Sequence, residues 1–209
     1  MARHVDPKCK LCRREGVKLY LKGDRCETAK CSITKRKSLP GGKMSRRGRK
    51  LSSYGVHFRE KQKLKRFYGV FERQFRNYYH KAERKQGNTG ENLLILLERR
   101  LDNALYHIGY GFSRSHARQV INHGHVTVNG RKVDIASFLV KQGDVIRPVE
   151  REDSINMIKT NIDSNKGRTP PSWLALGDDE LEGRVQQLPN RDEVSVNIQE
   201  QLVVELYSK

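Results

Sequence analysis

The distribution of charge along the chain limits what its first 90 residues can fold into. Residues 1–90 contain 27 Lys and Arg against 7 Asp and Glu, a net charge of +20, whereas residues 91–209 contain 15 against 17, a net charge of −2. A segment this cationic repels itself unless a polyanion neutralises it. Neutralising phosphates, with release of their counterions, is the usual use of such charge. The first half of the chain therefore indicates a nucleic-acid-binding protein.

An anionic membrane is the competing polyanion, and the sequence argues against it. No run approaches the roughly 18–20 consecutive apolar residues of a membrane-spanning helix. Residues 1–6 lack the apolar core of a secretory signal, and neither end of the chain carries a lipidation pattern. Only 35% of the 209 residues are hydrophobic, so one large apolar core is not expected. We therefore expect a cytoplasmic protein with no membrane partner.

Four cysteines lie close together near the start, at Cys9, Cys12, Cys26 and Cys31. Two close pairs separated by 13 residues are typical of a tetrahedral zinc site, in which each pair forms a tight turn. The surrounding Lys and Arg side chains should favour the thiolate form. An iron–sulfur cluster takes the same four ligands, and two disulfides are a further alternative that a reducing cytosol disfavours. A closed site of four thiolates indicates one structural zinc ion and argues against an enzyme.

A cationic arm and two helices follow the cysteines. Residues 38–43 form a turn and linker signal, and residues 43–50 are a cationic run with small residues. We interpret this run as an extended arm against phosphates, the alternative being a solvated linker. The arm residues predicted to bind are Arg46, Arg47, Arg49 and Lys50.

The next segment, from Val56 to Ala82, has apolar residues at helical spacing. Gly69 is predicted to divide it into two helices. The stripe predicted to face the core consists of Leu64, Phe67, Phe71, Phe75, Tyr78 and Ala82. Tyr68 and Tyr79 lie off the stripe and are weak candidates for stacking on bases. The helical cations predicted to bind RNA are Arg59, Lys63, Arg66, Arg73, Arg76 and Arg84.

Residues 91–150 predict a compact module of helix, helix, hairpin and strand. Apolar residues keep helical spacing from a capped start near Thr89 to Ile108, which predicts one helix. Ser113 is predicted to cap a second helix that stops at Gly124. Asn129-Gly130 between alternating apolar residues predicts a two-residue hairpin. Five residues of the module are predicted to form one outward cationic edge: Arg114, Arg118, His123, Arg131 and Lys132. Together with Gln119 and Asn129 they are the residues of the module predicted to bind RNA.

These residues carry a resemblance to a known family. The motifs Arg100-Leu101-Asp102, Ser113-Arg114, Ala117-Arg118-Gln119, residues 124–131 and Gly143-Asp144 resemble the small RNA-binding domain named after bacterial ribosomal protein S-four. That domain also occurs in tyrosyl-tRNA synthetases and pseudouridine synthases. The helical segments at 59–64 and 68–75, Trp173-Leu174 and the ending at 200–208 resemble the same ribosomal protein. The resemblance therefore runs the whole length, and the four cysteines match the zinc-bearing branch of the S-four family.

The resemblance implies an α+β fold. It implies a mainly helical N-terminal domain with a four-cysteine zinc knuckle, an inserted helix–helix–hairpin–strand RNA-binding domain, and a C-terminal helix that packs back on the first domain. The expected domains are the knuckle and arm at 1–45, a helical rRNA-binding domain at 46–98 completed by about 193–209, and a second domain at 99–192. The small module occupies about 99–150 of that second domain.

The resemblance also implies a function. Members are structural constituents of the small ribosomal subunit and primary binders of 16S rRNA at a junction in its 5′ domain, where they nucleate assembly. They neighbour ribosomal protein S-five, with an effect on translational accuracy, and line the channel through which mRNA enters. No small-molecule substrate is expected.

The sequence leaves two rival functions open. An RNA-modifying enzyme that uses the module for targeting would need a further catalytic domain of about 150–200 residues. A zinc-containing DNA-binding regulator would prefer duplex DNA to structured RNA.

Overall fold

The computed structural model describes residues 4, 6–36, 40, 51–165, 167–177, 179–194 and 197–208. The chain forms two compact units. Met1–Leu93 together with Val196–Lys209 make the first, which we call the basic unit, and Leu94–Ser195 make the second, which we call the sheet unit. The predicted arm residues Arg46, Arg47, Arg49 and Lys50 lie outside the described residues.

Helices make up most of the regular structure in the described part of the chain. In chain order they are α1 (Lys8–Glu15), α2 (Ser32–Lys35), α3 (Ser53–Phe67), α4 (Glu72–Glu83), α5 (Thr89–Glu98), α6 (Leu101–Ile108), α7 (Arg114–Asn122), α8 (Glu152–Ser164) and α9 (Glu200–Ser208). Short 3-10 turns occur at Gly23–Cys26 and Arg191–Glu193. The strands are β1 (Val126–Val128), β2 (Arg131–Lys132), β3 (Val145–Pro148), β4 (Leu174–Leu176) and β5 (Gly183–Val185). Helices with a small antiparallel sheet confirm the predicted α+β class.

In the basic unit, α3 and α4 form the predicted pair of helices. The Ser52 hydroxyl caps α3 by accepting a hydrogen bond from the Gly55 N–H, and Gly69 follows the helix at φ +63°. This left-handed conformation suits glycine and confirms Gly69 as the break.

The predicted apolar stripe is buried, with one exception. Phe71 is 41% exposed because it precedes α4 as its N-cap and does not share the helical face. The prediction that Tyr68 and Tyr79 could stack on bases is wrong, since they are 2% and 3% exposed and belong to the core.

Helix α9 packs on α3 and α4, as the resemblance implied. Val203 is fully buried, and the Tyr207 ring stacks 4.6 Å from the Tyr79 ring and 6.1 Å from the Phe75 ring. Two segments far apart in sequence therefore complete the core of the basic unit.

The sheet unit contains a five-stranded antiparallel sheet in the order β2-β1-β3-β5-β4. The hairpin between β1 and β2 is confirmed: Asn129 and Gly130 both have positive φ, at 51° and 75°, as this turn requires. The core of the sheet unit contains residues of α6, α7, α8 and the sheet, together with Trp173, which is fully buried. Strands β4 and β5 and helix α8 lie beyond the predicted module and extend it.

One predicted helix is wrong. The apolar spacing from Thr89 to Ile108 predicted a single helix, but α5 ends at Glu98 and α6 begins at Leu101. The Leu101 N–H donates to the Phe138 carbonyl at 2.8 Å instead of continuing the helix. Pairing with the loop before β3 therefore replaces the helical hydrogen bonds at this point.

Within the described residues, no helix is long and apolar enough to cross a membrane.

Candidate nucleic-acid interface

Helix α4 presents cations to solvent. Its inner face buries Phe75 and Ala82 completely, whereas the predicted binding residues Arg73 and Arg76 are exposed on other faces. The third predicted residue, Arg84, is the C-cap of the helix and is also exposed. The helix therefore holds these guanidinium groups on a rigid element, where phosphates can reach them.

The predicted cations of α3 are engaged within the protein. Arg59 and Arg66 both pair with Glu15 of α1, at 3.4 Å between Nη1 and Oε1 for Arg59. Burial raises the pKa of Glu15, although Arg59 and Arg66 act in the opposite direction. Lys63 pairs with Glu60 at 2.5 Å. These three cations fasten α3 locally, and their contact with RNA stays a prediction.

The prediction that Arg114 and Arg118 face outward is wrong. Each is 8% exposed, because α7 turns these side chains toward α6. Arg114 Nε donates to Asn103 Oδ1 at 2.7 Å, and its guanidinium lies 4.4 Å from the Tyr106 ring centre. Arg118 Nη1 lies 4.0 Å from Asp102 Oδ2. Both arginines therefore support the packing of α7 on α6.

A buried ion pair next to them was not predicted as a site. Arg100 is fully buried and donates from Nε and Nη2 to the two carboxylate oxygens of Asp102, at 3.0 and 2.5 Å. The Arg-x-Asp spacing was visible in the sequence, but only the folded structure shows that the two side chains form a buried bidentate pair. Such a pair fixes the start of α6 and the neighbouring arginine of α7.

Helix α7, its C-cap and the hairpin present the remaining predicted residues of the module. Gln119, His123, Asn129, Arg131 and Lys132 are all exposed. Asn129 also braces the turn: its Nδ2 donates to Asp144 Oδ1 and its Oδ1 accepts from the Val145 N–H, both at 2.9 Å.

Gly124 brings the hairpin close to the end of α7. A Cβ at this glycine would lie 2.2 Å from Lys132 Cε, so the Lys132 side chain crosses directly over it. Lys132 therefore lies against Gly124, which directly follows His123, the C-cap of α7.

One exposed pair of cations was not predicted from the sequence. Arg147 of β3 and Arg184 of β5 have side chains 59% and 64% exposed, and both pair with the buried carboxylate of Glu182. No periodicity singles them out, because they meet only through the pairing of β3 with β5.

The four cysteines converge in the basic unit. Cys9, Cys12, Cys26 and Cys31 line one small pocket, and all but Cys9 are buried. The predicted tight turn at the first pair is wrong, because Cys9 and Cys12 share one face of α1 at helical spacing. Within the described ranges, no three Cys, His, Asp or Glu residues form a group that could hold a metal ion. The zinc knuckle therefore stays a prediction.

The thiols do not all ionise easily. Burial raises the pKa of Cys12 and of Cys26, contrary to the expectation that nearby cations favour their thiolates. Burial also acts against ionisation of Cys31, but hydrogen bonds from the backbone N–H groups of Ile33 and Thr34 outweigh it and lower its pKa. Four thiols facing one pocket remain a suitable donor set for a soft metal ion.

Comparison with known proteins covers the whole chain. Residues 3–98 match the ribosomal protein S4/S9 N-terminal domain, and residues 99–146 match the S4 domain. Small ribosomal subunit protein uS4 of Thermoanaerobacter sp. strain X514 is 55% identical over 209 residues, which is all of both chains. Protein uS4A of Alkaliphilus oremlandii is 54% identical and uS4 of Thermodesulfovibrio yellowstonii 51% identical, again over the full length of both chains. The chain belongs to the uS4 family.

Membership of the uS4 family confirms the predicted S-four resemblance and the prediction that the chain is a structural ribosomal protein and not an enzyme. The S4 domain of this uS4 family member contains α6, α7 and the β1–β2 hairpin, which are the elements that carry the Arg100–Asp102 pair and the exposed hairpin cations. The zinc-bearing branch of the family is a finer prediction that these matches do not test.

Proposed function

We propose that this chain is an rRNA-binding structural protein of the small ribosomal subunit in the cytoplasm. The observation that supports it best is full-length uS4 membership in a chain with a net charge of +20 over residues 1–90. Exposed Arg73 and Arg76 of α4 and its C-cap Arg84 supply phosphate contacts. Arg131 and Lys132 of the hairpin supply others. Recognition depends on backbone and shape, because the major groove of RNA is too narrow for side chains to read.

We also propose the finer role that the resemblance implies. The chain binds a junction in the 5′ domain of 16S rRNA and nucleates assembly of the subunit body. With ribosomal protein S-five as a neighbour it contributes to translational accuracy. The density of cations in residues 43–50 supports a contact with mRNA in the channel through which it enters.

Binding of the purified full chain to a 5′-domain fragment of 16S rRNA tests this function. A filter-binding titration between 50 and 200 mM salt should show affinity falling steeply, because phosphate contacts release counterions. Arg73→Ala and Arg131→Ala should each lower affinity and reduce the salt slope by up to about 1. Lys159→Ala, an exposed cation of α8 outside the proposed surface, is the matched control.

Two results would contradict the proposal. One is a nearly flat salt titration, and the other is a duplex DNA competitor that displaces the RNA as well as unlabelled RNA does. Arg114 and Arg118 are unsuitable for this test, because they are buried and their loss would weaken the packing of α7.

We propose further that the four cysteines hold one zinc ion, with an iron–sulfur cluster as the alternative. The convergence of all four thiols on one pocket supports this. A bound ion would cross-link α1, the 3-10 turn at Gly23–Cys26 and the start of α2, in a segment with little apolar core.

Elemental analysis of the purified chain tests the metal. One zinc per chain is expected, and Cys26→Ser should lose it, whereas Ser32→Ala, which alters a non-thiol residue at the same pocket, should keep it. Iron with visible absorbance would establish the cluster instead. Four thiols that react freely in metal-free protein of unchanged stability would overturn the site.

A further inference from the structure

A stacked aromatic pair, of which Tyr54 is the exposed member, lies at the beginning of α3. Tyr54 is 66% exposed, and Phe58 follows one helical turn later. Their ring centres lie 5.9 Å apart with an angle of 20° between the planes, so the rings are stacked. Residues at this spacing lie one above the other on a helix.

The inner part of this stack is surrounded by positive charge. Arg59 Cζ lies 5.1 Å and Lys61 Nζ 5.0 Å from the Phe58 ring centre, which are cation–π distances. Both cations are held by carboxylates, Arg59 by Glu15 and Lys61 by Glu72. The Phe58 end of the stack is therefore fixed by the protein, while the Tyr54 ring is mostly in solvent.

A large exposed ring contributes little to the core, so the Tyr54 ring is available to contact a partner. The charge of this part of the chain favours an anionic partner, because residues 1–90 carry a net charge of +20. An unpaired nucleotide combines a flat apolar base with a negative phosphate. Stacking of bases on aromatic side chains in cationic surroundings is how proteins bind single-stranded nucleic acid.

We propose that Tyr54 is a stacking platform for one unpaired RNA base, with Phe58 as the ring that backs it. This inference rests on the proposed rRNA-binding function and names the feature of RNA, an unstacked base at a junction, that this site takes. It also gives the basic unit the aromatic contact that the buried Tyr68 and Tyr79 cannot make.

Substitution of Tyr54 tests the platform in the full chain. Tyr54→Ala should weaken binding to the 5′-domain fragment by about fivefold to about a hundredfold, the range for loss of one base–aromatic stack. Tyr54→Phe keeps the ring and should bind like the unchanged protein. Tyr20→Ala removes another exposed tyrosine of the basic unit, 39% exposed, and is the matched control.

The salt dependence separates stacking from electrostatics. Tyr54→Ala removes no charge, so its affinity should be lower by the same factor at every salt concentration, with an unchanged slope. A changed slope, or equal affinities of Tyr54→Ala and the unchanged protein, would overturn the platform while leaving the rRNA-binding function intact. If the unchanged protein does not bind the RNA at all, the proposed function itself fails.

Fluorescence provides a direct second reading. The only tryptophan, Trp173, is fully buried, so a Tyr54→Trp variant adds one exposed reporter to a constant background. Saturation with the RNA fragment should quench the new emission strongly, because a stacked base is a contact quencher. A Tyr20→Trp variant should be quenched weakly. Equal quenching of the two variants would contradict stacking at residue 54.

Discussion

Replacement of Glu72 with Gln tests how the last helix is held on the basic unit. The Glu72 carboxylate, at the start of α4, accepts hydrogen bonds from Tyr207 Oη of α9 at 2.8 Å and from Lys61 Nζ of α3 at 2.7 Å. Lys65 Nζ donates to the other oxygen at 3.0 Å. Lys61 is only 8% exposed, so its charge depends on this carboxylate for compensation.

The size of the effect follows from the ionisation of Glu72. Burial by itself would raise the pKa of Glu72, but hydrogen bonds from Lys61, Tyr207 and Lys65 outweigh it and lower the pKa from 4.5 to about 2. A shift of this size corresponds to about 3 kcal/mol. The side chain is 39% exposed, and solvent screening reduces the contribution to about 1–2 kcal/mol. We expect Glu72→Gln to lower the free energy of unfolding at pH 7 by that amount.

The lowered pKa of Glu72 determines the pH range in which this residue stabilises the protein. Because the folded pKa of Glu72 lies below the unfolded one, its contribution is fully present above about pH 4.5 and is lost as the pH falls toward about 2. Urea denaturation of both proteins, followed by circular dichroism from pH 7 down to pH 2.5, should show the two stabilities converging across this window. Tyr207→Phe, which keeps the ring stacking and loses the hydroxyl, should cost about 1 kcal/mol at pH 7.

Either of two results would refute this reasoning. One is a Glu72→Gln protein as stable as the unchanged chain at pH 7. The other is a stability difference that stays constant between pH 7 and pH 2.5, which would show that the ionised carboxylate is not the source.

Two further substitutions test the sheet unit, and tryptophan fluorescence during urea denaturation reads out both. Gly111→Ala should destabilise by about 1–3 kcal/mol, because its Cβ would lie 2.7 Å from the backbone nitrogen of Ala117. Gly167→Ala is the control and should change little, because a Cβ there would meet nothing within 4 Å beyond its own chain neighbours. Equal effects of the two substitutions would contradict the steric argument. Tyr110→Phe should lower the free energy of unfolding by about 1–2 kcal/mol. The buried hydroxyl donates to the Leu181 carbonyl at 2.7 Å, and its loss leaves that carbonyl without this donor. An unchanged denaturation midpoint would show that the hydrogen bond contributes nothing.

The elements with strong local signals could be predicted from the sequence. Ser113 accepts the N-terminal hydrogen bond of α7 at His116, Gly69 separates α3 from α4, and Asn129-Gly130 forms the hairpin turn. In each case the residue type satisfies a requirement of its own backbone, so neighbours in sequence suffice to identify it.

Elements that depend on distant partners could not be predicted. The apolar spacing continues across Arg99 and Arg100, and the helix ends there only because the loop at 138–140 takes over the hydrogen bonds. Strands β4 and β5 have three residues each, too few to show a strand period in the sequence. They form because β5 pairs with β3 and β4 pairs with β5.

The candidate site likewise has a part that the sequence predicts and a part that depends on the tertiary structure. The sequence identified the cationic half correctly but could not tell exposed cations from buried ones. Arg118 and Arg73 look alike in sequence, yet Arg118 lies near Asp102 while Arg73 reaches solvent. The difference depends on which carboxylates the fold brings near, which is tertiary information.

The position of α9 has a consequence for the order in which the protein becomes complete. During synthesis the whole of Leu94–Ser195 leaves the ribosome before Glu200–Ser208, the helix that closes the core begun by the first 93 residues. A nascent chain interrupted anywhere before this helix lacks Tyr207 and leaves the aromatic rings of α4 uncovered. The core of the basic unit is therefore complete only after Glu200–Ser208 has been synthesised, although most of its residues were made before the sheet unit.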